Sequence, residues 1–350
     1  MITVSIVNVT SYTGLGMLRL LAQHPQFKVT SITARSAAGK RLDEVFPQLR
    51  ARTYTPMVIA EEAEQTDLAF VCLPHAAAAE SVVKLLERGT KVVDLSADFR
   101  LRDAALYEEW YQHTHPAPAL LETAVYGLCE RYRAAIEGAS LVANPGCYAT
   151  AALLGLLPAL AMGISGHDVI IDGKSGISGA GRSLTLGTHY AEANEDVSAY
   201  SLTGHRHLAE ITQELEAATL AGGPPINNRP LRITFIPHLV AMTRGILATC
   251  YADLNEERAS TTAEVRALYA EYYAHEPFVE IVDQPPHTKW TYGSNHCLIY
   301  PMVDTRTSRL LVISCLDNLV KGAAGQAIQN ANRLYGLPET TGLPPVSVYP

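Results

Sequence analysis

The sequence predicts an α/β fold: an N-terminal, Rossmann-type, doubly wound parallel sheet followed by an α+β domain. From Thr3 to Val142, short β-branched runs alternate with helical patterns, as parallel strands joined by crossover helices do. Beyond Asp172, strand patterns often follow one another directly, which is the α+β arrangement. Between the two lies V-A-N-P-G-C-Y-A-T-A-A-L-L-G-L-L-P, Val142 to Pro158, where a strand must turn and an apolar helix begins at a cysteine. At 350 residues the chain is long enough for two domains, and 48% hydrophobic against 18% charged residues makes them globular rather than disordered.

Thr3 to Val9 alternates and is β-branched, so it reads as the first strand. A turn at Thr10 to Gly14 and a helix from Leu15 to Ala22 complete the usual opening of a nucleotide-binding domain. There, N–H groups at the helix start receive a pyrophosphate. Ser11, Tyr12, Thr13 and Gly14 are the candidates for that contact. Asn8 and Ser11 stand where glycines are expected; Asn tolerates positive φ and Ser is small, so the turn can form. An ordinary βα turn fits this stretch as well. Strand two, Lys28 to Ala34, ends in Arg35-Ser36 with Lys40 close behind. An acid at that place selects a ribose 2′-hydroxyl, whereas a guanidinium with a hydroxyl suits a 2′-phosphate, so the expected cofactor is NADP(H). Strand three, Leu68 to Leu73, closes at Pro74, and Leu73 and Pro74 join the cofactor candidates. An Ala-rich helix to Arg88 and a strand at Lys91 to Leu95 follow.

Cys147 opens its helix. Orphan N–H groups and the positive dipole end favour a thiolate there, and thiolates are the nucleophiles of covalent catalysis. A small buried thiol after a turn is the other reading. In the second domain Val169 to Asp172 is a strand, and Lys174 to Arg182 is a Gly-rich loop with a cation at each end. Such a loop reads either as an oxyanion cradle or as a mobile linker. Gly204-His205-Arg206-His207 precedes a helix to about Leu220, and a loop at Ala221 to Pro230 follows. Strands are expected at Leu231–Ile236, Gly245–Leu254, Phe278–Val282, His296–Val303 and Arg309–Leu316, with a helix at Glu257–Tyr273. A last helix, Asn318 to Tyr335, should pack back on the first domain. The expected division is therefore 1–146 plus 318–350 for the nucleotide domain and 147–317 for the catalytic and oligomerisation domain.

A net charge of −8 argues against nucleic acid as a partner, and no apolar run approaches a membrane span. Six cysteines scattered singly, with no C-x-x-C pair, suit reduced thiols and a cytoplasmic location. His205 and His207 alone, without further ligands, make no metal site.

The opening S-Y-T-G, V-D-L-S-A-D-F-R at Val93, the Cys147 stretch, K-S-G-I-S-G-A-G-R at Lys174, H-R-H at His205, P-H-L-V-A-M-T-R-G at Pro237 and D-N-L-V-K-G-A-A-G-Q at Asp317 occur in this order over nearly the whole chain. In these the sequence resembles the N-acetyl-γ-glutamyl-phosphate reductases of arginine biosynthesis, relatives of the aspartate-semialdehyde dehydrogenases. The resemblance implies a second domain of the semialdehyde dehydrogenase type, NADPH as reductant, a small acyl-phosphate substrate and a homo-oligomer, dimer or tetramer. It also adds Ser178, Gly179 and Asn318 to the cofactor candidates. The implied route is attack by Cys147, a thioester, hydride reduction and release of the semialdehyde. His205 or His207 relays protons, with His205 placed to reach from the loop, and Asn144 or a helix-start N–H steadies the oxyanion. Arg100, Lys174 and Arg182 are the cations expected to hold phosphate or carboxylate. The nearest alternative is the sister reductase whose aminoadipyl or glutamyl phosphate rides on an acidic carrier protein. A cysteine hydrolase would have no use for Arg35-Ser36, and a nucleotide-sensing protein none for Cys147 with H-R-H.

Overall fold

The computed structural model describes residues 1–50, 57–221 and 230–349. They form two compact units, Met1–Pro145 with Ala323–Pro344, and Gly146–Gly322 with the residues from Pro345 onward. The C-terminal return to the first unit thus begins at Ala323, after a π-turn at Val320–Ala324, and Asn318 is not helical. The residues from Pro345 belong with the second unit, where the Val348 N–H donates to the Tyr292 carbonyl at 2.7 Å.

The first unit is built on β1 (Ile2–Val7), β2 (Phe27–Thr33), β3 (Leu68–Val71), β4 (Lys91–Asp94), β5 (Val125–Tyr126) and β6 (Leu141–Ala143). Their order is β2-β1-β3-β4-β6-β5 and every pairing is parallel. Val4, Ile6, Phe70, Val92 and Val93 are wholly buried, as strands covered on both faces require. The chain leaves β1 toward β2 but returns on the other side as β3, so the topological switch lies beyond their C-terminal ends, where such sheets bind ligands. There Asn8 Nδ2 donates to the Cys72 carbonyl at 2.9 Å, tying the two strand ends together. The run V-D-L-S-A-D-F-R braces the neighbouring loop: Asp98, fully buried, accepts from the N–H groups of Ala76, Ala78 and Ala79 at 2.6–3.0 Å. Helix Gly325–Leu334 packs on helix Cys129–Ile136, β4 and helix Tyr12–Leu21, completing this unit.

The second unit carries a mixed sheet of β7 (Ser165–Gly176), β8 (Val197–Ala199), β9 (Arg232–Val240), β10 (Ile246–Leu254), β11 (Val279–Ile281), β12 (Cys297–Asp304) and β13 (Arg309–Leu316). Their order is β11-β12-β13-β10-β7-β9-β8, with antiparallel pairs except β11/β12 and β7/β9. β7 is much longer than its apolar run, because β10 and β9 pair with it through Lys174 and beyond. Conversely, the helix expected from Glu257 starts only at Thr262, where Thr261 and Glu264 form a capping box. The loop expected at Ala221 to Pro230 falls mostly outside the described residues.

Helix Cys147–Ala161 packs against β7, β10, β12 and β13, and every residue from Tyr148 to Leu160 is buried. Pro158 lacks the N–H that the Leu154 carbonyl would accept, and the Tyr273 hydroxyl fills that vacancy at 2.6 Å. Such a helix is anchored along its whole length, so its first residue is held in one place.

Candidate active site

Helix Cys147–Ala161 begins at Cys147 with Gly146 as its N-cap, so the thiol lies among the first-turn N–H groups. Cys147 is partly exposed, while Cys72, Cys129, Cys250, Cys297 and Cys315 are all buried. Burial pushes the thiols of Cys72, Cys250 and Cys315 up to about 12, which leaves them inert at neutral pH. The cysteine at the helix start is thus the one whose surroundings suit a nucleophile.

Two glycines let other groups close on it. A Cβ at Gly322 would lie 2.7 Å from the Cβ of Cys147, and the π-turn Val320–Ala324 carries that glycine there. A Cβ at Gly146 would meet His207 Nε2 at 2.4 Å and Glu210 Oε1 at 2.5 Å. His207 and Glu210 are therefore packed directly on the residue before the cysteine. They share one face of helix His207–Ala221, at i and i+3, with Nε2 3.7 Å from Oε1. The other Glu210 oxygen accepts the Gly146 N–H at 3.2 Å, and Glu210 is buried. Sequence reasoning misses Glu210; the signal was its spacing from His207, visible once the helix is known to start there.

His205 lies in an aromatic enclosure formed by Tyr148, Tyr200, Phe235 and His207, with ring centroids 4.7–5.8 Å away. Burial, aided by the neighbouring Arg206 charge, pulls its imidazole down to about 4. It is neutral at physiological pH, and its Nδ1 accepts the His207 N–H at 3.2 Å. The Tyr148 hydroxyl donates to the His238 carbonyl at 2.8 Å, fixing the ring that faces both histidines.

Several sequence expectations change here. The stretch from Lys174 is no free cradle: it is strand through Gly176, then a 3-10 turn at Ile177–Ala180. The N–H groups of Gly176, Ile177 and Ser178 donate to the carbonyls of Gly245, Met242 and Thr243 at 2.9–3.1 Å, so they are already satisfied. The ammonium of Lys174 sits 2.6 Å from Asp172 Oδ2, which neutralises much of the charge meant for an anion. Arg182 is exposed. Asn144 is buried, and its amide nitrogen donates to the Pro145 and Ala323 carbonyls at 3.3–3.4 Å while its oxygen accepts from Asn330. Its side chain is thus engaged within the turn before the cysteine. Buried Arg100 supports the same turn, donating from Nε to the Asn144 carbonyl at 2.8 Å. Ser178, Gly179 and Asn318 do come together: Asn318 Nδ2 donates to Ser178 Oγ at 3.0 Å. A Cβ at Gly179 would lie 3.8 Å from the same Nδ2.

In the first unit the turn after β1 forms without its glycines. Asn8 takes φ 65°, and Ser11 caps helix Tyr12–Leu21 by accepting the Gly14 N–H at 3.0 Å. A Cβ at Gly14 would lie 2.6 Å from the Asn8 carbonyl, so here only glycine fits. This compact turn, with Ser11, Tyr12 and Thr13 at the helix start, keeps the form that receives a pyrophosphate. A cleft of about 580 Å³ is lined by Asn8, Arg35, Ser36, Leu73 and Pro74; Lys40 does not line it. Lys84 and Arg88 enter it from helix Ala79–Glu87 and just beyond, and Glu61 and Glu62 face it as well, all of them absent from the sequence expectation. The residues present fit an adenine dinucleotide: a helix-start turn, an apolar wall at Leu73-Pro74, and a guanidinium with a hydroxyl at the end of β2. Among the described residues no group of His, Cys, Asp and Glu is arranged to hold a metal ion, and no helix is long and apolar enough to cross a membrane.

Comparison with known proteins matches residues 3–139 to the semialdehyde dehydrogenase NAD binding domain and 147–318 to the semialdehyde dehydrogenase dimerisation domain. The chain is 51% identical over 346 residues to an N-acetyl-gamma-glutamyl-phosphate reductase of Dehalococcoides mccartyi, covering 99% of this chain and 98% of that one. It is 48% identical to the protein of that name from Heliobacterium modesticaldum, with both chains fully covered. Among solved structures, aspartate semialdehyde dehydrogenase II of Vibrio cholerae superposes with TM-score 0.68 at 17% identity, covering 96% of this chain and 98% of that one. The Candida albicans aspartate semialdehyde dehydrogenase, solved with NADP, gives 0.66 at 16% identity over 96% and 98%. At these identities the two structures speak for the fold.

Proposed function

The chain belongs to the N-acetyl-γ-glutamyl-phosphate reductase family of semialdehyde dehydrogenases, and from that premise we propose that it reduces N-acetyl-γ-glutamyl phosphate to the semialdehyde through a Cys147 thioester, with NADPH as reductant. The observation that carries the reading is the convergence of His207 and Glu210 on Gly146, directly beside the one partly exposed cysteine.

The Cys147 thiolate attacks the acyl-phosphate carbonyl; a carbon–sulfur bond forms, the carbon–oxygen bond to phosphate breaks, and phosphate leaves with the electron pair. First-turn N–H groups of helix Cys147–Ala161, the donors the sequence offered beside Asn144, stabilise the developing oxyanion. Bound NADPH supplies the hydride that reduces the thioester carbon. His207 then protonates the resulting alkoxide, and takes the proton back as the carbon–sulfur bond breaks to free semialdehyde and thiolate. Glu210 steadies the imidazolium form of His207 across 3.7 Å. His205, neutral in its aromatic enclosure, accepts the His207 N–H and so positions the relay. Arg182 remains the proposed cation for the substrate's anionic end in the second unit. Ser11 to Gly14, Leu73, Pro74, Arg35 and Ser36 hold the cofactor in the first, and Ser178, Gly179 and Asn318 belong to the same proposal. The enzyme works as a cytoplasmic homo-oligomer, as the dimerisation domain matched by residues 147–318 suggests.

The test is a substrate panel read by NADPH oxidation. Free N-acetylglutamyl phosphate should be reduced with phosphate release, and carrier-bound acyl phosphates should not. The reverse preference transfers the reading to the carrier-linked sister enzyme.

Cofactor choice is open to a separate measurement, because Arg35 shares its cleft with Glu61 and Glu62, and a carboxylate favours a 2′-hydroxyl. A charge-assisted phosphate contact contributes about 1.5–3 kcal/mol. Arg35→Ala should therefore weaken NADPH binding by about tenfold or more and leave NADH binding nearly unchanged. Equal weakening of both would make Arg35 structural.

A further inference from the structure

In the second unit β9 and β10 lie on either side of β7, so the loop that joins them, 241–245, crosses over the end of β7 at Gly176. A Cβ on Gly176 would lie 2.7 Å from the Arg244 Cα, so glycine is what lets the loop pass. The N–H bonds from Gly176, Ile177 and Ser178 to carbonyls of this loop fix its backbone, as does the Gly245 N–H, which donates to Asn318 Oδ1 at 2.8 Å. Arg244 is presented from this fixed loop and is itself held at one end and on one face. Its Nη1 donates to Asp317 Oδ2 at 3.3 Å, and its guanidinium carbon stands 5.3 Å from the centre of the Tyr292 ring. Asp317 is wholly buried, whereas the Arg244 side chain is 21% exposed. Among the described residues Nε and Nη2 make no hydrogen bond. Those two N–H groups are the parallel pair that a carboxylate accepts, so pairing with Asp317 leaves the open side of the fork for another anion. Asp317 also links this arginine to the nucleophile. Its Oδ1 accepts the N–H groups of Leu319 and Val320 at 2.8 and 3.2 Å, and its carbonyl accepts that of Gly322 at 2.9 Å. These bonds build the turn that sets Gly322 against the Cβ of Cys147. Arg244 and Cys147 are thus tied to the two ends of one short segment, Asp317 to Gly322.

We propose that Arg244 binds the α-carboxylate of the acyl-phosphate substrate, with Asp317 as its positioning residue; this deepens the reductase reading above and rests on it. N-acetyl-γ-glutamyl phosphate is anionic at both ends, so its binding calls for a second cation besides Arg182. Lys174 is paired with Asp172. With the acyl carbon at Sγ, the phosphoryl group lies against the thiol, and the carboxylate carbon lies about 5 Å farther along, four carbon–carbon bonds away. A cation set one short segment back from the thiol meets that far end and not the phosphoryl group. The open Nε–Nη2 pair suits the planar carboxylate found there.

The reverse reaction separates the two anions, because N-acetylglutamate semialdehyde carries the carboxylate and inorganic phosphate enters on its own. With NADP⁺ as oxidant, Arg244→Gln should raise the KM for the semialdehyde roughly 10–100-fold and leave the KM for phosphate within about twofold. A raised KM for phosphate alone, an equal rise in both, or no change in either overturns the proposal. Arg244→Gln leaves the buried Asp317 without its cation, so Arg244→Lys decides if that variant does not fold. It keeps a charge beside Asp317 but lacks the fork, and the KM for the semialdehyde should still rise several-fold. Wild-type KM values for both substrates in the folded Arg244→Lys protein refute the assignment. A merely structural arginine would change stability or kcat and leave the ratio of the two KM values where it was. Alkylation of Cys147 by iodoacetamide gives a readout without turnover. N-acetylglutamine, which keeps the α-carboxylate, should protect the wild-type thiol, and its α-carboxamide should not; equal protection by the two, or none, counts against the proposal. Wild-type enzyme that turns over neither semialdehyde nor acyl phosphate ends the reductase reading and this assignment with it. Normal wild-type turnover with an unmoved KM ratio in the variants ends this assignment alone.

Discussion

Replacing Cys147 with serine should abolish reduction of the acyl phosphate, lowering kcat by roughly 10⁴-fold or more, with the fold and NADPH binding kept. The size of the effect follows from the acid strength of the two groups. A helix start stabilises a thiolate by a few pKa units, enough to ionise a thiol near neutral pH but far too little for a hydroxyl. The Sγ-to-Oγ change is nearly isosteric at a partly exposed position, so stability should change little. Rapid-quench detection of phosphate checks the step itself: wild-type enzyme should release phosphate on forming the thioester, and the serine variant should release none beyond background. Substantial turnover by the serine variant would falsify the covalent route. Alkylation offers an independent control, since Cys147 should react first and its modification should be prevented by substrate. The thiols of Cys72, Cys250 and Cys315, pushed up to about 12 by burial, should stay unmodified in the folded protein.

The second large effect belongs to His207. His207→Asn should lower kcat by roughly 10²–10⁴ at neutral pH with cofactor affinity unchanged. We propose the acid role for His207 on two grounds. Desolvation in its aromatic enclosure pulls His205 down to about 4, so at neutral pH it is not an imidazolium and its one remaining ring N–H is too weak an acid for the relay. His207 instead has a buried carboxylate within 3.7 Å, which favours the imidazolium needed to protonate an alkoxide. His205→Asn should then act mainly through the position of His207, with a smaller loss of kcat and a pH profile of unchanged shape. Glu210→Gln keeps an acceptor for the Gly146 N–H but removes the negative charge, so the limb of the kcat profile that reports the acid should move to lower pH. If His205→Asn has the larger effect and His207→Asn keeps a normal profile, the assignment is reversed.

Much of this was legible in the chain itself. The β-branched runs of the first unit mark β1 to β4 to within two residues, because parallel strands buried on both faces must be β-branched and apolar whatever surrounds them, whereas the two-residue β5 was not expected from the sequence. Cys147 stood out for an equally local reason. Asn-Pro-Gly cannot continue a strand, the residues after it can only be a buried helix, and a cysteine placed there meets the helix start. Asn8 could be expected to stand in for glycine because its tolerance of positive φ is a property of its own side chain, and φ is indeed 65°. What the sequence could not decide depends on groups far apart along the chain. Gly146 lies 64 positions from Glu210, and only the folded second unit shows the carboxylate accepting its N–H. The N–H groups after Lys174 look free in a Gly-rich string but are taken by carbonyls of Met242 to Gly245, and the ammonium of Lys174 is taken by Asp172. The charge of His205 is likewise set by aromatic rings from three separate segments, since desolvation depends on what surrounds a group and not on its neighbours in sequence. Sequence names the groups able to react; which of them is ionised, satisfied or still available is decided by the partners that tertiary packing brings within hydrogen-bonding reach.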